Sequence, residues 1–194
     1  IDEYTPQKEG DDEARHDLFL GVCSNYTCSL KVGDKVQVTG PSGKRFLLPV
    51  DHNKHDYIFM ATGTGIAPFR SMCKDLFENP DGPTTSQVHV VMGTPYTTDL
   101  LYDDFFVELS ENHDNFHYHA AVSREKQPDG SRGLYVGQLI DKKYDDVFGN
   151  ILTSDRGLMY MCGLIGMQFG IYQIFAERGI TDAYMTIKDE LKDI

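Results

Sequence analysis

Four short groups of residues have the types and spacing to handle a phosphorylated ligand. The first is Ala61-Thr62-Gly63-Thr64-Gly65-Ile66-Ala67-Pro68-Phe69-Arg70-Ser71, which follows the apolar run Tyr57-Ile58-Phe59-Met60 and opens onto a helical pattern. A strand, a glycine turn and a helix start let backbone N–H groups approach a phosphate, with the positive end of the helix dipole behind them. Pro68 suits a first helical turn, where no N–H is needed. The loop is not G-x-G-x-x-G, and two glycines alone also describe a tight turn that binds nothing. The other groups are Gly93-Thr94-Pro95, Ser123-Arg124 and Cys162-Gly163-Leu164.

Other reactive side chains point to less. Cys23, Cys28, Cys73 and Cys162 have neither the paired spacing of a zinc site nor that of a secreted disulfide framework, and read as reduced thiols. His117 and His119 alternate within Phe116-His117-Tyr118-His119-Ala120-Ala121-Val122, a strand pattern. Same-face strand histidines read as a solvated or hydrogen-bonded pair, so no metal site is assigned.

The elements that must position the four groups follow from periodicity. From Asp56 onward strands fit 57–61, 87–92, 116–122 and 158–162, and helices fit 67–78, 99–111, 138–147, 167–177 and 184–192. Strand and helix in alternation predict an α/β domain with a parallel sheet covered on both faces. Each of the four groups then falls at the carboxyl end of a strand, where such a sheet binds its ligand. Before this domain, Leu18 to Cys23, the alternating Lys35-Val36-Gln37-Val38-Thr39 and Phe46-Leu47-Leu48-Pro49 read as short strands between Gly and Pro turns. They predict the end of a small antiparallel barrel over residues 1–51, with 56–194 forming the α/β domain and His52-Asn53-Lys54-His55 a linker between them.

Bulk properties narrow the function classes. The 194 residues, 40% hydrophobic and 25% charged, describe an ordinary globular protein of one large or two small domains. A net charge of −12 argues against a nucleic-acid binder, which would need a basic stripe. No apolar run reaches the length of a membrane span.

Taken together with Gly21-Val22-Cys23-Ser24-Asn25, Val122-Ser123-Arg124-Glu125 and Tyr160-Met161-Cys162-Gly163-Leu164, the glycine loop resembles the plant-type ferredoxin–NADP reductases over essentially the whole chain. Diflavin reductases share the glycine loop and the Cys-Gly turn but not the Gly-Val-Cys-Ser-Asn form. The resemblance implies a flavoprotein oxidoreductase with FAD on an antiparallel barrel and NADP on the α/β domain. Hydride would pass between NADP(H) and FAD, and electrons between FAD and ferredoxin, a small acidic iron–sulfur protein. The implied location is the cytoplasm or the plastid stroma.

By the same resemblance, FAD contacts fall to Tyr4, Gly21, Val22, Cys23, Ser24 and Thr62. NADP contacts fall to Thr62, Gly63, Thr64, Gly65, Thr94, Pro95, Ser123, Arg124, Arg132, Tyr135, Gly163 and Leu164. Cys162 matches the cysteine beside flavin and nicotinamide, where it would help hold the two rings for hydride transfer rather than attack as a nucleophile. Ser123 and Arg124 favour NADP over NAD, because an Arg fork and a hydroxyl suit a 2′-phosphate. Lys31, Lys35, Lys44 and Arg45 form a local basic stretch for an acidic partner, although ordinary surface lysines read the same way.

The chain departs from the family in four places. The Arg-x-Tyr-Ser motif that grips FAD would precede Ile1, and the closing aromatic residue is absent after Lys192-Asp193-Ile194, as expected of part of a longer protein. Gly133 stands where a basic residue is usual two before Tyr135, with Arg132 and Lys126 nearby, and Gly137 replaces a polar residue. The competing readings are the reductase module of an oxygenase and a nucleotide-binding module without flavin.

Overall fold

The computed structural model describes residues 21–40, 42, 43 and 46–184. The chain forms two units, Ile1–Lys44 and Arg45–Ile194. In the first, Val22–Ser29 form a helix, α1, that buries no residue, and Lys35 to Thr39 form no strand. Val22 is 91% exposed and Val38 87%. The expected antiparallel barrel is therefore not present among the described residues. An alternating segment becomes a strand only when a neighbour takes up its backbone ladder, and none does so among the described residues.

The second unit is built on four parallel strands: β1 (Asp56–Thr62), β2 (Val88–Thr94), β3 (Phe116–Val122) and β4 (Gly157–Cys162). Their order is β3-β2-β1-β4, so the chain winds outward from β1 to β3 and then returns to the far side of β1. Register pairs Ala61 with Cys162, Thr62 with Gly93 and Thr94 with Val122. The crevice between the carboxyl ends of β1 and β4 is thus the point where the winding reverses, the place such sheets bind ligands.

Strand alternation supplies two cores. Tyr57, Phe59, Val88, Val90 and Met92 face one side, and Ile58, Met60, Val91 and Ala121 the other. This explains the continuous apolar runs, since both faces are buried. Helix α2 (Ala67–Phe77) carries Phe69, Met72, Cys73, Leu76 and Phe77 at helical spacing onto the first face. Asn79-Pro80 follows, and the residue before a proline resists helical dihedrals. Helix α3 (Asp103–Asn112) adds Phe106 and Leu109 to the same core. On the second face lie α4 (Val136–Lys142), α5 (Gly149–Leu152) and α6 (Ile165–Glu177).

Two helices differ from the sequence expectation. The 99–111 segment is a 3-10 turn at Thr97–Asp99, then a break at Tyr102, held at φ 58°, and only then α3. The 138–147 segment divides into α4, a π turn at Tyr144–Phe148 and α5, and the widened turn buries Phe148. Of the helix expected over 184–192, only α7 (Thr181–Tyr184) ends within it, and the rest lies outside the described residues. Among the described residues no helix is long and apolar enough to cross a membrane.

A chain of neutral histidines crosses the second face. His119 Nε2 lies 3.2 Å from His89 Nδ1, and Lys143 Nζ lies 3.3 Å from His119 Nδ1. Lysine only donates, so His119 Nδ1 accepts and its Nε2–H donates to His89. His117 Nε2 lies 3.2 Å from Gln87 Oε1. Burial pushes His89 down to about 3 and His119 to about 4, with His117 reinforcing both and His119 acting on His89. The unfolded chain takes up these protons near the ordinary 6.5, so acid favours unfolding. Stability is expected to hold above about pH 6.5 and to fall by on the order of 1–2 kcal/mol per histidine by pH 5. Urea midpoints at pH 7.5, 6 and 5 check this. The H89Q/H119Q variant should show a shallower pH slope, and an unchanged slope would remove the histidines as its cause.

Candidate nucleotide-binding site

The glycine loop is fixed to the closing turn of β4 by contacts that tolerate no side chain. Thr62 Oγ1 accepts a hydrogen bond from the Leu164 N–H at 2.8 Å. A Cβ on Gly65 would lie 2.0 Å from the Cys162 carbonyl oxygen, and one on Gly163 would meet Thr62 Oγ1 at 2.1 Å. Gly163 also sits at φ 152°, which side chains disfavour. The two loops on either side of the reversal point therefore touch backbone to backbone.

Beyond this seam Gly63–Ile66 form a 3-10 turn that runs into α2. The first N–H groups of such a turn have no partner within the helix, and here they belong to Gly63, Thr64 and Gly65. Gly63 takes φ 54°, and a Cβ there would point into open space. Thr64 is exposed and Gly65 buried, so the turn presents backbone and a hydroxyl rather than bulk. This cradle fits a phosphate.

The far wall is formed by the ends of β2 and β3. Thr94 is 5% exposed and its hydroxyl donates to the Tyr96 carbonyl at 3.0 Å. Ser123 N–H donates to Thr94 O and Arg124 N–H to Pro95 O, both at 2.9 Å. Arg124 is exposed, with its guanidinium carbon 6.0 Å from the centre of the Tyr96 ring. Tyr135, 61% exposed, precedes α4, and its N–H donates to the Gln138 side chain at 3.0 Å.

These walls enclose a cleft of about 390 Å3. It is lined by Thr62, Gly63, Thr64, Thr94, Pro95, Ser123, Arg124, Tyr135 and Leu164 among others. Nine of the positions assigned from sequence thus share one cleft. Gly65 and Gly163 support it from behind. Arg132 is exposed and outside the lining, and Cys162, half-buried, packs against the first core. Gly133, where a basic residue was expected, has no room for one: a Cβ would lie 2.5 Å from the carbonyl oxygens of Val122 and Glu125.

Sequence reasoning missed Tyr96 under Arg124, because its partner comes from a loop 28 residues away. It also missed a groove of about 800 Å3 between α4 and α6, which shares Thr62, Tyr135, Val136 and Leu164 with the cleft. That groove reaches none of Gly63, Thr64, Ser123 or Arg124, so the smaller cleft holds the phosphate chemistry. Of the flavin positions, Val22, Cys23 and Ser24 are exposed in the first turn of α1 with Gly21 as its N-cap, while Tyr4 lies outside the described residues. Among the described residues no cluster of His, Cys, Asp and Glu is arranged to hold a metal.

Comparison with known proteins agrees with this geometry. The family described as oxidoreductase NAD-binding domain matches residues 59–172. The chloroplastic ferredoxin–NADP reductase leaf isozyme 1 of Arabidopsis thaliana is 38% identical over 181 residues, 91% of this chain and 50% of the relative. A ferredoxin–NADP reductase from Picosynechococcus is 39% identical over 173 residues, 87% of this chain and 42% of the relative. A solved ferredoxin–NADP+ reductase from Plasmodium falciparum with 2′P-AMP superposes with a TM-score of 0.68 at 27% identity, covering 83% of this chain and 63% of that one. The chain spans about half the length of the curated relatives it matches. A match running from the middle of β1 into α6 takes in part or all of every strand and all four ligand loops, and by it the chain belongs to the oxidoreductase NAD-binding domain family.

Proposed function

We propose that this chain supplies the NADP(H)-binding half of a flavoprotein oxidoreductase of the ferredoxin–NADP reductase kind. The observation that carries the reading is the single cleft joining a glycine phosphate loop to Ser123, Arg124 and Tyr135. The pyrophosphate lies against Gly63 to Gly65, the adenine stacks on Tyr135, and the 2′-phosphate takes Ser123 and Arg124. Leu164 closes over the nucleotide from the β4 side, where it is 72% exposed.

Cys162 stands at the end of the strand beside β1 and is the position proposed to lie along the nicotinamide. Its part is positional, holding the ring in place with a slim, polarizable side chain. FAD, when bound, supplies the exchange between two-electron and one-electron chemistry. Its assignment rests on the family resemblance; on the α/β unit Thr62 and Cys162 stand at positions proposed to face it, and Gly21 to Ser24 belong to the other unit. Ferredoxin is proposed as the electron partner, in the cytoplasm or a plastid stroma. Lys31 and Lys35 are exposed candidates for contacting it, while Lys44 and Arg45 lie outside the described residues.

Calorimetric titration of the 194-residue chain with 2′-phospho-AMP and with 5′-AMP tests the reading. The phosphorylated ligand should bind at least tenfold tighter, as expected when a charged fork meets a dianion. Equal affinities would replace NADP by NAD as the coenzyme.

A further inference from the structure

Arg124 needs a means of aim. It is a long, exposed side chain, and among the described residues it makes no ion pair. Left to itself it would lose rotamer freedom on gripping a phosphate, which weakens binding.

The structure shows what limits that freedom. The β2–β3 ladder continues past the strand ends as two backbone bonds, Ser123 N–H to Thr94 O and Arg124 N–H to Pro95 O, each 2.9 Å. The next rung is made by a side chain. Glu125 Oε1 accepts the Thr97 N–H at 2.8 Å, and Oε2 accepts the Thr97 hydroxyl at 2.5 Å. Tyr96, whose ring lies under the Arg124 guanidinium, sits between the backbone-bonded Pro95 and the clamped Thr97. From the other side, Gly133 packs its bare backbone against the carbonyls of Val122, Ser123 and Glu125.

Both Glu125 oxygens are thus turned onto Thr97, and the carboxylate does not pair with the neighbouring Arg124. The Thr97 hydroxyl and then its N–H hold this carboxyl below the usual carboxylate range, so it stays ionised near neutrality. The guanidinium keeps its charge for a ligand.

We propose that Glu125 is a positioning residue for 2′-phosphate recognition, acting through Thr97 and Tyr96 to hold the Arg124 fork over the cleft. This rests on the NADP reading above. It predicts coupling, because a residue that acts through Arg124 loses its effect when Arg124 is gone.

The experiment is a titration of the full chain with 2′-phospho-AMP and 5′-AMP in five forms: wild type, E125A, E125Q, R124A and the E125A/R124A double variant. E125A should weaken 2′-phospho-AMP about five- to tenfold, with 5′-AMP changed less than twofold. E125Q, which can still accept the Thr97 N–H and donate to its hydroxyl, should recover most of that loss. In the R124A background, E125A should cost less than twofold more. Tighter 2′-phospho-AMP binding by E125A would mark the carboxylate as a repulsive bystander and overturn the proposal. Losses that simply multiply in the double variant would do the same. A wild type that does not discriminate between the two ligands would instead overturn the NADP reading itself.

Discussion

Replacing Gly65 with alanine is expected to lower the melting temperature by about 6–12 °C and to abolish nucleotide binding. The added Cβ would stand 2.0 Å from the Cys162 oxygen and 2.6 Å from its carbonyl carbon. Both obstacles are backbone in a strand paired residue by residue with β1, so neither can swing aside. Relief requires the glycine loop to part from β4, which would break the bond from Leu164 N–H to Thr62 Oγ1. Overpacking of this kind costs about 3 kcal/mol or more, and each kcal/mol moves the melting point of a chain this size by roughly 2–4 °C.

Gly63 provides the comparison, because there the cost is conformational rather than steric. Its φ of 54° disfavours a side chain, but a Cβ would meet nothing within 4 Å. G63A should cost only about 1–2 kcal/mol. Differential scanning calorimetry of both variants decides the matter. If G65A melts within about 2 °C of wild type, the close approach of the two loops is wrong.

That contrast also shows what the sequence made legible. Strand periodicity and the glycine loop placed β1 to β4 within a residue or two, and four groups of odd residues at strand ends predicted one cleft. What stayed hidden depends on partners distant in the chain. His117 and His119 read as a pair, yet neither bonds the other: His119 engages His89 and Lys143, and His117 engages Gln87. Only the β2–β3 register brings His89 beside them, and a single run of residues carries no register. Likewise nothing in the run around Glu125 points to Thr97, which comes from the neighbouring strand end. The strands expected at Leu18 to Cys23 and Lys35 to Thr39 show the converse error. Val22, Val36 and Val38 suit a strand locally, but a strand propensity has no force without a ladder to join, and among the described residues none takes them up.

The second large effect concerns Arg124. Replacing it with glutamine removes the only charge that the described residues bring to the lining of the cleft, since Thr62, Thr64, Thr94, Ser123 and Tyr135 offer hydroxyls and the rest offer apolar or backbone groups. A hydrogen bond to a charged group contributes about 1.5–3 kcal/mol, so 2′-phospho-AMP should bind roughly ten- to a hundredfold more weakly. The variant should fold normally, because the Arg124 side chain is exposed and its contact with the Tyr96 ring is worth about 0.5–1 kcal/mol at such a site. Binding of 5′-AMP, which has nothing to offer the guanidinium, should change less than twofold. R124K should fall between, because an ammonium keeps the charge but not the planar fork that matches a phosphate through two parallel bonds. Titration of R124Q and R124K with both ligands, beside their melting curves, separates these terms. Equal weakening of the two ligands would mean that Arg124 shapes the cleft as a whole, and the preference for a 2′-phosphate would then have to come from Ser123 alone.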